Sequence, residues 1–167
     1  MQNFANQLNQ MRAEFNAAPT NAPLAFNLFG AYMQVRMTNE ARSIIDLLLV
    51  NSTDPNALMM GANCYNQLGD MGKVEQAISR LVTLAPNNPE AWYDLGWIQA
   101  MTGRIPQSAA SFKHAVEYSD ERLKKQTNAN NLRVMLSNDP RLKDAANPIA
   151  ALLRGNPDFQ SLIKTNL

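Results

Sequence analysis

Apolar residues recur along this chain at steps of three and four, the spacing that lines side chains along one face of an α-helix. Phe4, Leu8, Met11 and Phe15 open the pattern, and Leu28, Phe29 and Tyr32 followed by Ala41, Ile45 and Leu48 continue it. Two further pairs of runs follow: Leu58, Ala62, Tyr65 with Val74, Ile78, Leu81, and Trp92, Leu95, Gly96 with Ser108, Phe112, Ala115. No segment joins β-branched enrichment to period-two alternation, so the pattern predicts helices throughout and no sheet.

Proline and asparagine punctuate these runs. Pro19-Thr20-Asn21-Ala22, Thr53-Asp54-Pro55 and Pro86-Asn87-Asn88-Pro89 are turn segments, and units begun at Ala22, Pro55 and Pro89 are 33 and 34 residues apart. Each unit holds two amphipathic runs. Gly69 and Gly103 separate the runs in the second and third units, where a left-handed residue would end the first helix.

These residues resemble the tetratricopeptide repeat family. The resemblance rests on Trp92-Tyr93-Asp94-Leu95-Gly96, Gly103, Phe112 and Ala115 in the third unit, and on Tyr65, Gly69-Asp70 and Pro86-Asn87-Asn88 in the second. It spans residues 22–120 and departs at Gln99, where the family favours tyrosine, and at Val74 and Ser108, where it favours alanine. It implies an all-α, right-handed solenoid of antiparallel helix pairs. The chain is thereby divided into a lone N-terminal helix (1–21), three repeats (22–54, 55–88, 89–120) and C-terminal capping helices (121–167). The capping segment carries an echo spaced by 17 residues, Leu136 to Leu142 and Leu153 to Phe159, in which Asp139-Pro140 and Asn156-Pro157 suit helix starts. A cap is needed because the last unit of a stack otherwise exposes its apolar face.

Charge narrows the function. The 15 basic and 14 acidic residues nearly cancel, although the part beyond Glu121 has eight basic against three acidic. Nucleic-acid binding and direct membrane contact therefore have no electrostatic support. No uninterrupted apolar stretch has the length of a membrane span, and the opening MQNFANQLNQ does not resemble a signal peptide; the compartment stays open. Cys64 and His114 are the only residues of their types, so a disulfide framework, a multi-cysteine metal site and a catalytic set with two histidines are excluded. No phosphate-binding loop or zinc-binding helix motif is present. The chain reads as a non-enzyme without metal or cofactor, in which Cys64 is a buried thiol and His114 a packing or surface residue.

In the resembled family the first helices of successive repeats line a concave groove, at the fifth, ninth, twelfth and thirteenth positions of each unit. The resemblance places Phe26, Gly30, Met33 and Gln34 there, then Met59, Asn63, Asn66 and Gln67, then Tyr93, Trp97, Ala100 and Met101. The expected partner-binding set is Phe26, Met33, Met59, Asn63, Asn66, Gln67, Tyr93, Trp97 and Met101, with Tyr93 and Trp97 as anchors and Trp92 kept for repeat packing. Such a wall is uncharged, aromatic and amide-lined, suited to a peptide or protein partner. It lacks the lysines and arginines with which chaperone-binding relatives grip acidic tails. The competing reading is that some of these residues pack against neighbouring helices or the chain's own C-terminal segment. Two alternative functions remain: assembly by end-to-end stacking of repeats, and an accessory domain of a larger membrane or enzyme complex.

Overall fold

The computed structural model describes residues 2–125 and 131–164, with the side chains of Gln2 and Asn51 excepted. Met1, residues 126–130 and residues 165–167, which fall in the expected terminal segments, lie outside the described residues. The described chain contains eleven helices and no strand. It forms two compact units, Met1–Leu84 and Ala85–Leu167.

In the first unit α1 (Gln2–Ala17) packs on α2 (Ala22–Gln34), α2 pairs with α3 (Thr38–Asn51), and α4 (Pro55–Gln67) pairs with α5 (Met71–Leu84). The sequence marks each start of an inner helix. Asn21 and Asp54 side chains accept the backbone N–H groups of Leu24 and Asn56, and Pro23 and Pro55 occupy the first turns, where a missing N–H costs nothing. The same left-handed turn closes every inner helix. Gly69 and Gly103 have φ of 71° and 77°, and Arg36 takes φ of 60° at the matching place in the first repeat. In all three the N–H after the turn reaches back to the inner helix at 2.9 Å, from Met37 to Tyr32, Asp70 to Tyr65 and Arg104 to Gln99.

The apolar stripes meet as their spacing requires. Phe15, Leu28, Ile45, Leu48, Leu58, Ile78 and Leu81 are fully buried, each contributing roughly 1.5–3 kcal/mol. Polar ties cross between helices above this core. Arg42 pairs with Asp70, Lys73 with Asp46, and Tyr65 Oη donates to Asp46 at 2.7 Å. Arg80 donates to the Leu49 and Ser52 carbonyls at 2.6 and 2.8 Å, satisfying the end of α3 from α5.

The second unit begins with another pair, α6 (Pro89–Met101) and α7 (Ile105–Lys125). A Cβ on Gly96 would stand 2.8 Å from the Phe112 ring, so the glycine sets how closely these helices approach. Ser108 Oγ donates to the Gly96 carbonyl at 2.7 Å, which gives the hydroxyl a partner in a fully buried place. Four short helices follow: α8 (Leu132–Ser137), α9 (Pro140–Lys143), α10 (Pro148–Gly155) and α11 (Pro157–Lys164). None is long enough to persist alone. They hold because α8, α10 and α11 pack on α7 and α10 also packs on α6, burying Leu136, Leu142, Ala150, Leu153, Phe159 and Leu162. The Asp139 side chain caps α9 and Asn156 accepts the Phe159 N–H at the start of α11, as the sequence suggests, and Asn147 caps α10 in the same way.

Candidate partner-binding face

The inner helices of the first unit carry no Asp, Glu, Lys, Arg or His. With 13 residues in α2 and 13 in α4, a chain that is 17% charged would place about four charges there. The outer helices α3 and α5 instead carry Glu40, Arg42, Asp46, Lys73, Glu75 and Arg80. Each inner helix buries one side, Ala25, Leu28, Phe29 and Tyr32 on α2 and Ala57, Leu58, Ala62 and Tyr65 on α4. On the other side of α2 lie Phe26 and Met33, both half-buried, and the exposed Asn27 and Gln34. On α4 the corresponding side holds half-buried Met59 and exposed Asn56, Asn63, Asn66 and Gln67. Among the described residues, the side-chain amides of Asn63, Asn66 and Gln67 make no intramolecular hydrogen bond. Their donors and acceptors face solvent.

The third inner helix differs. Trp97 is only 4% exposed and Ala100 1%, because the C-terminal helices cover them. The Trp97 ring meets Phe112 edge-on at 5.3 Å between centroids, and the Arg141 guanidinium lies over its other face at 3.7 Å. Tyr93 Oη donates to the buried Asp139 carboxylate at 2.8 Å, and the same carboxylate receives the Arg141 fork at 2.9 and 2.7 Å. Burial raises the Asp139 carboxyl, but the bonds from Arg141, Tyr93 and the Arg141 backbone N–H outweigh it and hold the group below its ordinary range. Burial likewise pushes the Tyr93 phenol up, as does the bond to Asp139.

The expected anchors are therefore corrected on one point: Trp97 is a core residue of the second unit, and Tyr93 is tied to the segment that covers it. Of the α6 set, Met101 remains exposed, at 50%. Trp92, expected in the core, is half-buried, its Nε1 donating to the Pro86 carbonyl at 2.7 Å and its ring 4.6 Å from His114. The tie from Asp139 to Tyr93 and the place of Arg141 over Trp97 escaped sequence reasoning. The available signal was the second half of α6, where Leu95, Gly96, Trp97, Ile98 and Ala100 are all buried and Gln99 is the one polar residue among them.

The remaining chemistry is quiet. Cys64 is a buried free thiol that burial pushes up to about 11, far from a reactive thiolate. His114 lies between the Trp92 and Tyr118 rings, 3.8 Å from Glu117. Among the described residues no cluster of histidine, cysteine and carboxylates is gathered for a metal, and no helix is long and apolar enough to cross a membrane.

By sequence, no family model and no curated protein matches the chain. By structure it is similar to two MamA crystal structures, one at TM-score 0.59 and 14% identity over 96% of this chain and 85% of that one. The other has a TM-score of 0.52 and 17% identity over 70% of this chain, which spans 64% of that MamA chain's length. It is also similar to YrrB, described as a TPR protein with an unusual peptide-binding site, at TM-score 0.54 and 15% identity over 96% of this chain and 78% of that one. At such identities the likeness is one of fold, and the fold is the all-α tetratricopeptide-type helical repeat.

Proposed function

We propose that this chain is a protein-interaction module whose open binding face is the outward side of α2 and α4: Phe26, Met33, Met59, Asn63, Asn66 and Gln67. The observation that carries the reading is the row of exposed amides without intramolecular bonds on helices free of charge. Amide donors and acceptors beside half-buried aromatic and thioether groups suit a peptide or protein surface. The structurally similar YrrB is described as having an unusual peptide-binding site, which lends the reading support by analogy of fold alone. An acidic chaperone tail is not the proposed ligand, because the face offers no cation to receive it.

The test is site-specific photo-crosslinking in the full chain, with the probe at Asn63 and a control at exposed Lys113 on α7. A partner captured from Asn63, whose capture is lost when competing peptide is present before irradiation, with no product from Lys113, supports the reading. Equal labelling at both positions refutes it. A second reading, assembly by stacking, draws on an open groove of about 310 Å³ between α1 and α2, where Phe4 is 39% exposed. Light scattering across concentration decides it: assembly requires mass to grow, and a constant monomer mass removes it.

A further inference from the structure

The outer helices α3 and α5 of the first unit are joined by two polar rungs. One is the Asp46 carboxylate, which accepts from Lys73 and, at 2.7 Å, from Tyr65 Oη. The other is the Arg80 guanidinium, which donates to the Leu49 and Ser52 carbonyls at 2.6 and 2.8 Å. Lys73 and Arg80 stand two turns apart on α5, so about 10 Å of helix separates the rungs. Between them lies an open cleft of about 300 Å³, the size at which small-molecule sites begin. Its floor is apolar, made by buried Leu49 and Ala77, with Val50 77% exposed at the lip.

The two rungs differ in charge. Lys73 and Asp46 neutralise each other, and burial together with the bond to Asp46 pushes the Tyr65 phenol up, so that rung is a closed, neutral set. Arg80 meets no carboxylate among the described residues. Its partners are carbonyls at the end of α3, a helix terminus that carries only about half a unit of negative charge. Two of its N–H groups are spent on them, and the rest of the guanidinium's five donors remain. Gln76, one turn before Arg80 on the cleft wall, is exposed, and its amide makes no intramolecular bond. A guanidinium held from behind, with free donors, an unbonded amide and an apolar floor beside it, suits one carboxylate with a small carbon body. A second negative charge would find no cation, because Lys73 is already spent on Asp46, and a cationic ligand would be repelled by Arg80. We infer that the cleft between α3 and α5 binds a small organic monocarboxylate, its carboxylate on Arg80 and Gln76 and its carbon body over Leu49 and Ala77.

The test is nuclear magnetic resonance of the full chain, reading the Arg80 Nε–H and the Gln76 side-chain amide during titration. The probes are butyrate, isovalerate, hexanoate, phenylacetate and phenylpropionate, each beside its own primary amide, and inorganic phosphate. At least one acid should move both signals with a saturating dependence, and its amide and phosphate should bind at least tenfold more weakly. Gln76→Glu sets a carboxylate of the chain's own one turn from Arg80, so it should weaken the acid at least tenfold, whereas Gln76→Lys should strengthen it at least twofold. Both changes lie at an exposed, unbonded position, and circular dichroism confirms that the variants are folded. An amide or phosphate that binds as tightly as the acid, an unchanged affinity in Gln76→Glu, or saturation that leaves the Arg80 Nε–H unmoved overturns the inference. So does a panel in which no acid moves either signal. The face on α2 and α4 is read separately, by crosslinking at Asn63, and stands or falls apart from this cleft.

Discussion

Replacing Trp97 by alanine should unfold the second unit rather than blunt a binding surface. The indole is 4% exposed, touches Phe112 edge-on at 5.3 Å and carries the Arg141 guanidinium at 3.7 Å. Truncating a buried tryptophan costs about 3–5 kcal/mol through lost burial and the cavity left behind. The lost cation–π contact adds about 1 kcal/mol or more, and Arg141 would be left paired to Asp139 over an empty space. A total of about 4–6 kcal/mol compares with about 5–15 kcal/mol for a whole domain, so the variant would stand near its threshold. Trp92→Ala supplies the contrast. That ring is half-buried, and its loss removes one hydrogen bond to Pro86 and the contact with His114, about 1–2 kcal/mol in all. Urea unfolding followed by circular dichroism, with hydrogen exchange at Ala150, Leu153 and Phe159, reports the second unit directly. Trp97→Ala within 1 kcal/mol of the parent, or less damaging than Trp92→Ala, would refute the assignment of Trp97 to the core.

Three further outcomes are open to measurement. Arg36→Gly should stabilise the chain by about 0.5–1 kcal/mol, since φ of 60° strains any residue with a Cβ, whereas Gly69→Ala and Gly103→Ala should each cost about 1 kcal/mol; thermal melts of the three variants check the sign. Gly96→Ala should cost about 1–3 kcal/mol in the same melts, because its Cβ would meet the Phe112 ring at 2.8 Å. Asp139→Asn should destabilise by about 2 kcal/mol at neutral pH through the lost pair with Arg141. The folded Asp139 carboxyl is held below its unfolded value of about 3.9, so its contribution is complete above that value and fades as pH falls through the folded one. The gap between parent and variant should accordingly shrink in titrations below about pH 4.

Local chemistry made the repeats legible. The caps at Asn21 and Asp54, the proline starts and the left-handed Gly69 and Gly103 each act within a few residues, and the period of 33 and 34 makes them reinforce one another. The left-handed turn at Arg36 has no glycine to announce it; the neighbouring repeat geometry imposes it against the residue's own preference. The cover over α6 was hidden for a different reason. Asp139 lies 46 residues beyond Tyr93, and no spacing rule reaches a contact made by a segment outside the repeat period. The positional rule placed Tyr93 and Trp97 on the inner side of their helix, but which surface remains wet depends on what docks there. Only the apolar second half of α6 hinted at it, and that hint is visible beside α4, where Asn63, Asn66 and Gln67 at the same end of the helix stay exposed.

Nuclear magnetic resonance of the full chain titrated with the partner captured at Asn63 tests the central claim most directly. The side-chain amide signals of Asn63, Asn66 and Gln67, and the methyl signals of Met33 and Met59, should shift with a single saturating dependence. The Trp97 indole N–H should stay fixed, because the C-terminal helices already cover it. A shift of the Trp97 indole with the α4 amides unmoved would contradict the account and return the binding surface to the third repeat.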